Sequence, residues 1–228
     1  MSGLFVTFEG GEGSGKSTQI VRLESRLRDA GIATLVTREP GGTPLGERLR
    51  ALLLDAASAR DAPRADGAEP GLAPGALTEA LLMEAARAEL VATVLEPALA
   101  AGTVVLCDRY ADSTLAYQGA GRGLDAAMLA SWNRAATGGL TPDLTLLIDL
   151  PVRLGLSRRA GAAGPENRID RESEAFHTRV RERYLELARA EPARIVVLDG
   201  SLAPEPLAAR VWEAVSARLP AAQARPAG

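Results

Sequence analysis

Five short apolar runs punctuate the chain: Leu4–Phe8, Ala33–Thr37, Thr103–Cys107, Leu144–Ile148 and Ile195–Leu198. Each is nearly continuous, rich in β-branched residues and too short for a helix, the pattern of strands buried on both faces of a parallel sheet. Between them apolar positions recur with helical period. Residues 16–30 place Ile20, Leu23 and Leu27 on one face and stop at Gly31, a natural terminator. Residues 45–54, 76–101, 125–136, 172–190 and 204–218 read the same way. Strands alternating with helices predict an α/β fold: a doubly wound, five-stranded parallel sheet with helices on both faces, because parallel strands need crossover connections. A polar residue follows each run, namely Glu9, Arg38, Asp108, Asp149 and Asp199. Ligands of open α/β sheets bind at the carboxyl ends of the strands, so these residues border the expected site.

At 228 residues the chain is predicted to be one domain over 1–219. A lid is expected at about 153–171 and a flexible insertion at about 56–76, where Ala, Pro, Gly, Asp and Arg leave too little apolar surface to pack. Residues 220–228 read as a disordered tail. The net charge of −3 speaks against a nucleic-acid coat or a polybasic membrane binder. One Cys and one His exclude disulfide frameworks and Cys/His zinc sites. No apolar run approaches the roughly 18 residues of a membrane span, and no secretory signal is visible, so a cytoplasmic protein is expected.

Of the 26 basic residues only Lys16 is a lysine. It lies in Gly10-Gly11-Glu12-Gly13-Ser14-Gly15-Lys16-Ser17, which fits G-x-x-x-x-G-K-[ST] at every defined position, between a predicted strand and a predicted helix. Glycines let backbone N–H groups curl around phosphate oxygens, and the helix N-terminus adds positive charge. The stretch Gly10–Thr18 is therefore the predicted ATP site. Lys16 is expected to reach the β/γ phosphates, and Ser17, with Asp108 after the third strand, to hold Mg²⁺. An Asn-Lys-x-Asp guanine motif cannot exist in a chain whose only lysine is Lys16, so a GTPase switch is excluded.

Two further stretches face the same crevice: Thr37-Arg38-Glu39-Pro40-Gly41-Gly42-Thr43 and Asp108-Arg109-Tyr110. Arg38 and Arg109 suit bidentate recognition of a second phosphate. With FEGGEGSGKST, TREPGG, LRALLLD, EAARAELV, DRYADSTLAYQGAGRGLD, TPDLTLLIDLP and NRIDRES, the chain resembles the thymidylate kinase family from about Leu4 to Ser201. The resemblance implies phosphoryl transfer from ATP to dTMP and a homodimer, formed here through the 76–101 helix. It implies that Glu12 touches the sugar 3′-hydroxyl, that Arg38 and Arg109 hold the dTMP phosphate, and that Arg87 hydrogen-bonds thymine. Thr114 and Gln118 would line the thymine side, and Tyr117 would pack where a ribose 2′-hydroxyl would sit. Glu39, Pro40 and Ser113 belong to the matching stretches and are counted with the substrate side. Met83 stands where the family usually stacks a Phe; Asn167 and Asp170 stand where the lid usually has Asp and Glu. The family's transition-state arginine comes from the P-loop or the lid. Residues 11–14 are Gly-Glu-Gly-Ser, which leaves Arg158, Arg159 and Arg168 as catalytic candidates beside Lys16 and Arg109.

A phosphate acceptor is already a dianion at neutral pH, its second pKa lying at about 6, so no general base is needed. His177, on the predicted 172–190 helix, reads as a packing or surface residue. Two rivals remain. A deoxynucleoside kinase would use Glu39 as base for a sugar hydroxyl, and a P-loop ATPase module would turn over ATP for a partner without an acceptor.

Overall fold

The computed structural model describes residues 3–54, 74–162 and 166–219. Most of the expected insertion, the tail 220–228, and Gly164 and Pro165 of the lid segment lie outside the described residues. Five parallel strands, β1 (Phe5–Glu9), β2 (Thr34–Arg38), β3 (Val104–Asp108), β4 (Leu144–Asp149) and β5 (Ile195–Asp199), form one sheet in the order β2-β3-β1-β4-β5. Each strand runs through the polar residue expected to follow it, because those residues still pair: Arg38 with Asp108, Asp149 with Asp199. The inner three strands are buried on both faces as expected. The outer two are not, since β2 and β5 are the sheet edges and leave Val36 and Val197 exposed.

The helices are α1 (Lys16–Asp29), α2 (Pro44–Leu54), α3 (Ala76–Leu90), α4 (Glu96–Ala100), α5 (Ala111–Thr114), α6 (Ala126–Thr137), α7 (Val152–Ala160), α8 (Glu174–Ala190) and α9 (Pro204–Ser216). The predicted 76–101 helix is found as α3 and α4 joined through a π-helical turn, Val91–Leu95. A second π-helical stretch, Leu115–Gly121, continues α5. Helical period did not reveal that segment, because its inward side carries the polar Thr114 and Gln118 beside Ala116 and Tyr117.

Side chains alternate across the sheet. Val6, Phe8, Leu106, Leu144, Leu146 and Ile148 meet Ile20, Leu23 and Leu27 of α1 and Leu207, Val211 and Val215 of α9. On the other face Phe5, Val105 and Cys107 pack against Leu90, Val91 and Leu95, while Leu147 and Ile195 meet Phe176, Val180 and Leu187 of α8. Each fully buried leucine contributes roughly 1.5–3 kcal/mol, so both layers hold the strand ends in fixed relation.

One close approach places the start of the 153–171 segment, the expected lid. A Cβ on Gly155 of α7 would come within 2.4 Å of the Glu12 carbonyl oxygen, and one on Gly13 within 2.1 Å of the Gly155 carbonyl oxygen. Gly13 also has φ +66°, a left-handed conformation that suits glycine. The backbone of α7 therefore sits directly on the P-loop.

Candidate functional site

The P-loop wraps from the end of β1 into α1, and Lys16 folds back into it. Lys16 Nζ donates to the carbonyls of Gly10 (3.1 Å) and Gly11 (3.0 Å) and lies 3.4 Å from Ser14 Oγ. Burial, then the nearby Arg109, pushes its pKa below the usual lysine range. Residues Glu12–Thr18 line a cleft whose other wall carries Arg38, Asp108, Arg158 and Arg159. Gly10 and Gly11 face a small space behind the loop, with His177. His177 is buried beside Phe176, which agrees with a packing role, and burial holds its imidazole below the usual histidine range.

Ser17 Oγ donates to Asp108 Oδ2 at 3.2 Å. Asp108 Oδ1 is buried and finds no hydrogen-bond partner among the described residues. That orphaned oxygen beside a P-loop hydroxyl fits Mg²⁺. No group of three or more His, Cys, Asp or Glu side chains able to hold a metal occurs among the described residues. An ion at Ser17 and Asp108 would thus draw most of its ligands from phosphate and water oxygens, as Mg²⁺ prefers.

A second cleft adjoins the first. All the sequence-predicted substrate residues except Arg38 line it: Glu12, Glu39, Pro40, Met83, Arg87, Arg109, Ser113, Thr114, Tyr117 and Gln118. Arg38 lies on the first cleft, where Nη2 pairs with Glu47 at 2.9 Å. The two clefts share Glu12, Glu39, Arg50, Arg109 and Asn167.

Arg109 is the hinge of this shared wall. It is a non-glycine residue at φ 70°, a conformation costing about 1–3 kcal/mol that persists only where its surroundings enforce it. They do: Nη2 donates to Glu12 Oε1 (2.8 Å), and Nη1 to the Gly10 carbonyl (3.0 Å) and Tyr184 Oη (3.3 Å). Burial alone would raise the Glu12 pKa, but Arg109, Lys16 and the Tyr117 hydroxyl (2.9 Å) outweigh it and bring Glu12 down to about 2. Glu9 is the opposite case. Burial, then Asp112, lifts it to about 7, although Ser113 and Tyr184 hydroxyls and the Tyr110 N–H all bond it.

Two of the arginine candidates are more enclosed than the others. Arg87 lines the second cleft, but its guanidinium is 2% exposed and donates to Glu39 (2.8 Å), Glu84 (2.9 Å), Thr114 (2.9 Å), Asn133 and the Tyr110 carbonyl (3.2 Å). Its hydrogens are committed inside the protein, so a base could bond it only by displacing one of these acceptors. Arg168, a catalytic candidate, lines neither cleft. It is buried, pairs with Glu79 and donates to the Leu53 carbonyl at 3.1 Å. Arg158 and Arg159 do reach the P-loop cleft; Arg158 also donates to the Gly200 carbonyl (2.9 Å) and Arg159 pairs with Asp170 (3.0 Å).

Residues 8–211 match the family model described as thymidylate kinase. The chain belongs to the thymidylate kinase family. It is 54% identical over 212 residues to a thymidylate kinase of Thermomicrobium roseum, covering 93% of this chain and 94% of the relative. To that of Deinococcus radiodurans it is 52% identical over 216 residues, covering 95% and 98%. The crystal structure of thymidylate kinase from Ehrlichia chaffeensis superposes with a TM-score of 0.70 at 30% identity, covering 94% of this chain and 99% of that one. The chain is accordingly a phosphotransferase.

Sequence reasoning passed over Arg50, Tyr184 and Glu79. Arg50 faces both clefts from α2 and donates to the Pro40 carbonyl (2.9 Å). Its signal was its place in LRALLLD, one of the stretches shared with this family. Tyr184 and Glu79 sit on helices whose period showed only that one side is buried.

Proposed function

We propose that the chain transfers the γ-phosphoryl group of ATP to dTMP, giving dTDP and ADP, in the supply of dTTP. The observation that carries this reading is the shared wall between the clefts, which sets the P-loop cleft and a second cleft against the same arginine, Arg109. The donor's β/γ oxygens take the N–H groups of Gly13–Ser17 and the Lys16 ammonium, which exchanges loop carbonyls for phosphate. Arg38, Arg50 and Arg109 receive the acceptor phosphate. Glu12, kept ionised, accepts from the sugar 3′-hydroxyl beside Tyr117. Glu39, Pro40, Met83, Ser113, Thr114 and Gln118 enclose the base side, with Arg87 behind them fixing Glu39 and Thr114. Arg158 and Arg159 meet the charge that spreads over the transferred group's oxygens. Mg²⁺ held by Ser17 and Asp108 would neutralise phosphate charge.

We also read the protein as a cytoplasmic homodimer. Leu45 and Leu52 of α2 and Leu77 and Leu81 of α3 are exposed on two packed helices, a patch suited to an isologous contact. Leu81→Glu should then sediment as a monomer.

Coupled ADP release, run with ATP alone, with dTMP and with thymidine, tests the activity. Turnover needing dTMP supports it. Turnover on thymidine would make it a deoxynucleoside kinase with Glu39 as base, and ADP release without acceptor would make it an ATPase.

A further inference from the structure

Resting on the dTMP reading, the structure assigns to Glu79 a part in base selection: we propose that it fixes which end of the Gln118 amide faces the acceptor cleft. Glu79 lies on α3, one turn before Met83, and is 0% exposed. Gln118 comes from the π-helical stretch after α5, lines the cleft and donates Nε2 to Glu79 Oε1 at 2.7 Å. The two ends of a glutamine amide look nearly alike, so its orientation has to be argued from partners. Here the partner decides it. Arg168 bonds Glu79 Oε2 and Arg122 lies 3.3 Å from both carboxylate oxygens. Flanked by two guanidinium groups, Glu79 stays ionised against its burial and sits below the usual carboxylate range. An ionised carboxylate only accepts. The NH₂ end of Gln118 must therefore point at Glu79, and the carbonyl end, Oε1, is what Gln118 offers the cleft.

A carbonyl at that place reads one chemical property of a pyrimidine. Thymine and uracil carry a hydrogen on N3 and can donate to it. Cytosine has a lone pair on N3, which would face the Oε1 lone pairs with no proton between them. Gln118 could serve cytosine N3 only by turning its NH₂ outward, and Glu79 forbids that turn. Selection against cytosine thus lies partly in a residue that touches no substrate.

In Glu79→Gln the Arg168 contact keeps an oxygen at the Oε2 position and puts an NH₂ at the Oε1 position. Gln118 would then turn its carbonyl to residue 79 and its NH₂ to the cleft. The experiment is kcat/KM for dTMP, dUMP and dCMP with wild type and variant. The dTMP-to-dCMP ratio should fall by about fivefold to a hundredfold, the worth of one satisfied or orphaned buried hydrogen bond. The dTMP-to-dUMP ratio should not move, because both bases carry the N3 hydrogen. Should Glu79→Gln fail to fold, Glu79→Asp decides. It keeps the charge for both arginines but withdraws the carboxylate from Gln118 by one methylene, and the dTMP-to-dCMP ratio should again fall alone. An unchanged dTMP-to-dCMP ratio in a folded variant overturns the proposal. So does an equal fall in both ratios, which would mean a loosened pocket. Failure of the underlying reading shows separately, as no dTMP-dependent ADP release by the wild type.

Discussion

Replacing Arg87 by methionine separates an ion pair that matters from one that only looks alike. The side chain is 2% exposed and stands between Glu39 and Glu84, themselves 5% and 8% exposed. Methionine fills much of the same volume but leaves two buried carboxylates without their cation. Removing one partner of a buried pair costs about 3–5 kcal/mol. In a chain of this size each kcal/mol moves the melting temperature by about 2–4 °C, so a fall of roughly 6–20 °C is expected. The loss should depend on pH, and its sign follows from the shifts. Burial already lifts Glu39 to about 7, and Glu84 above the usual range, with Arg87 present. The folded state therefore holds protons between pH 4.5 and about 7 that the unfolded chain has released, and stability falls as pH rises through that window. Without Arg87 both carboxyls bind protons more tightly still, so the deficit should be larger at about pH 8 than at about pH 5.5. Thermal melts of both proteins at the two pH values measure this. Arg153→Ala is the control: its pair with Glu174 is as short, 2.8 Å, but Arg153 is 85% exposed, and the melt should not move. A deficit for Arg87→Met below about 1 kcal/mol, or one independent of pH, would refute the reasoning.

Lys16→Ala should keep the far-UV spectrum and melting behaviour while losing most dTMP-dependent ADP release, since no other compact cation lies on the loop; near wild-type turnover would remove the P-loop assignment. Alanine at Arg158 or Arg159 should lower kcat by more than about tenfold (~1.4 kcal/mol) with little change in KM for dTMP. Arg168→Ala should instead lower the melting temperature, because it removes one of the two guanidinium groups that hold the buried Glu79; the reverse pattern would favour a catalytic role for Arg168. Gly155→Ala should raise KM for ATP, as its methyl would collide with the Glu12 carbonyl and lift α7 off the P-loop. An unchanged KM would show that the contact yields freely.

The P-loop, the central strands and nearly all of the second cleft's lining were legible in the sequence because each lies in a contiguous stretch with its own pattern. Edge strands were not distinguishable, since Val36 and Val197 sit in short apolar runs of the same kind as those of the inner strands. The helix from Ala111 to Gly121 escaped because a helix whose inward side binds polar groups has no apolar period. Arg168 and Arg159 read alike in an arginine-rich segment; which one turns inward depends on Glu79, 89 residues away, and sequence spacing carries no sign of that. Arg87 was expected on the base side, and only the fold shows how completely Glu39, Glu84 and Asn133 occupy it.

A chain with one lysine, buried in its P-loop, carries its own proteolytic reporter. A lysine-specific protease has a single bond to cut, between Lys16 and Ser17, releasing residues 1–16 from 17–228. The native loop buries Lys16 at the start of α1, so cutting waits on opening and its rate follows the open population while reclosing is fast. ATP at about a hundred times its Kd should slow the cut by about a hundredfold. One band on a gel would thus follow how often this loop lets go, with no label and no substitution introduced.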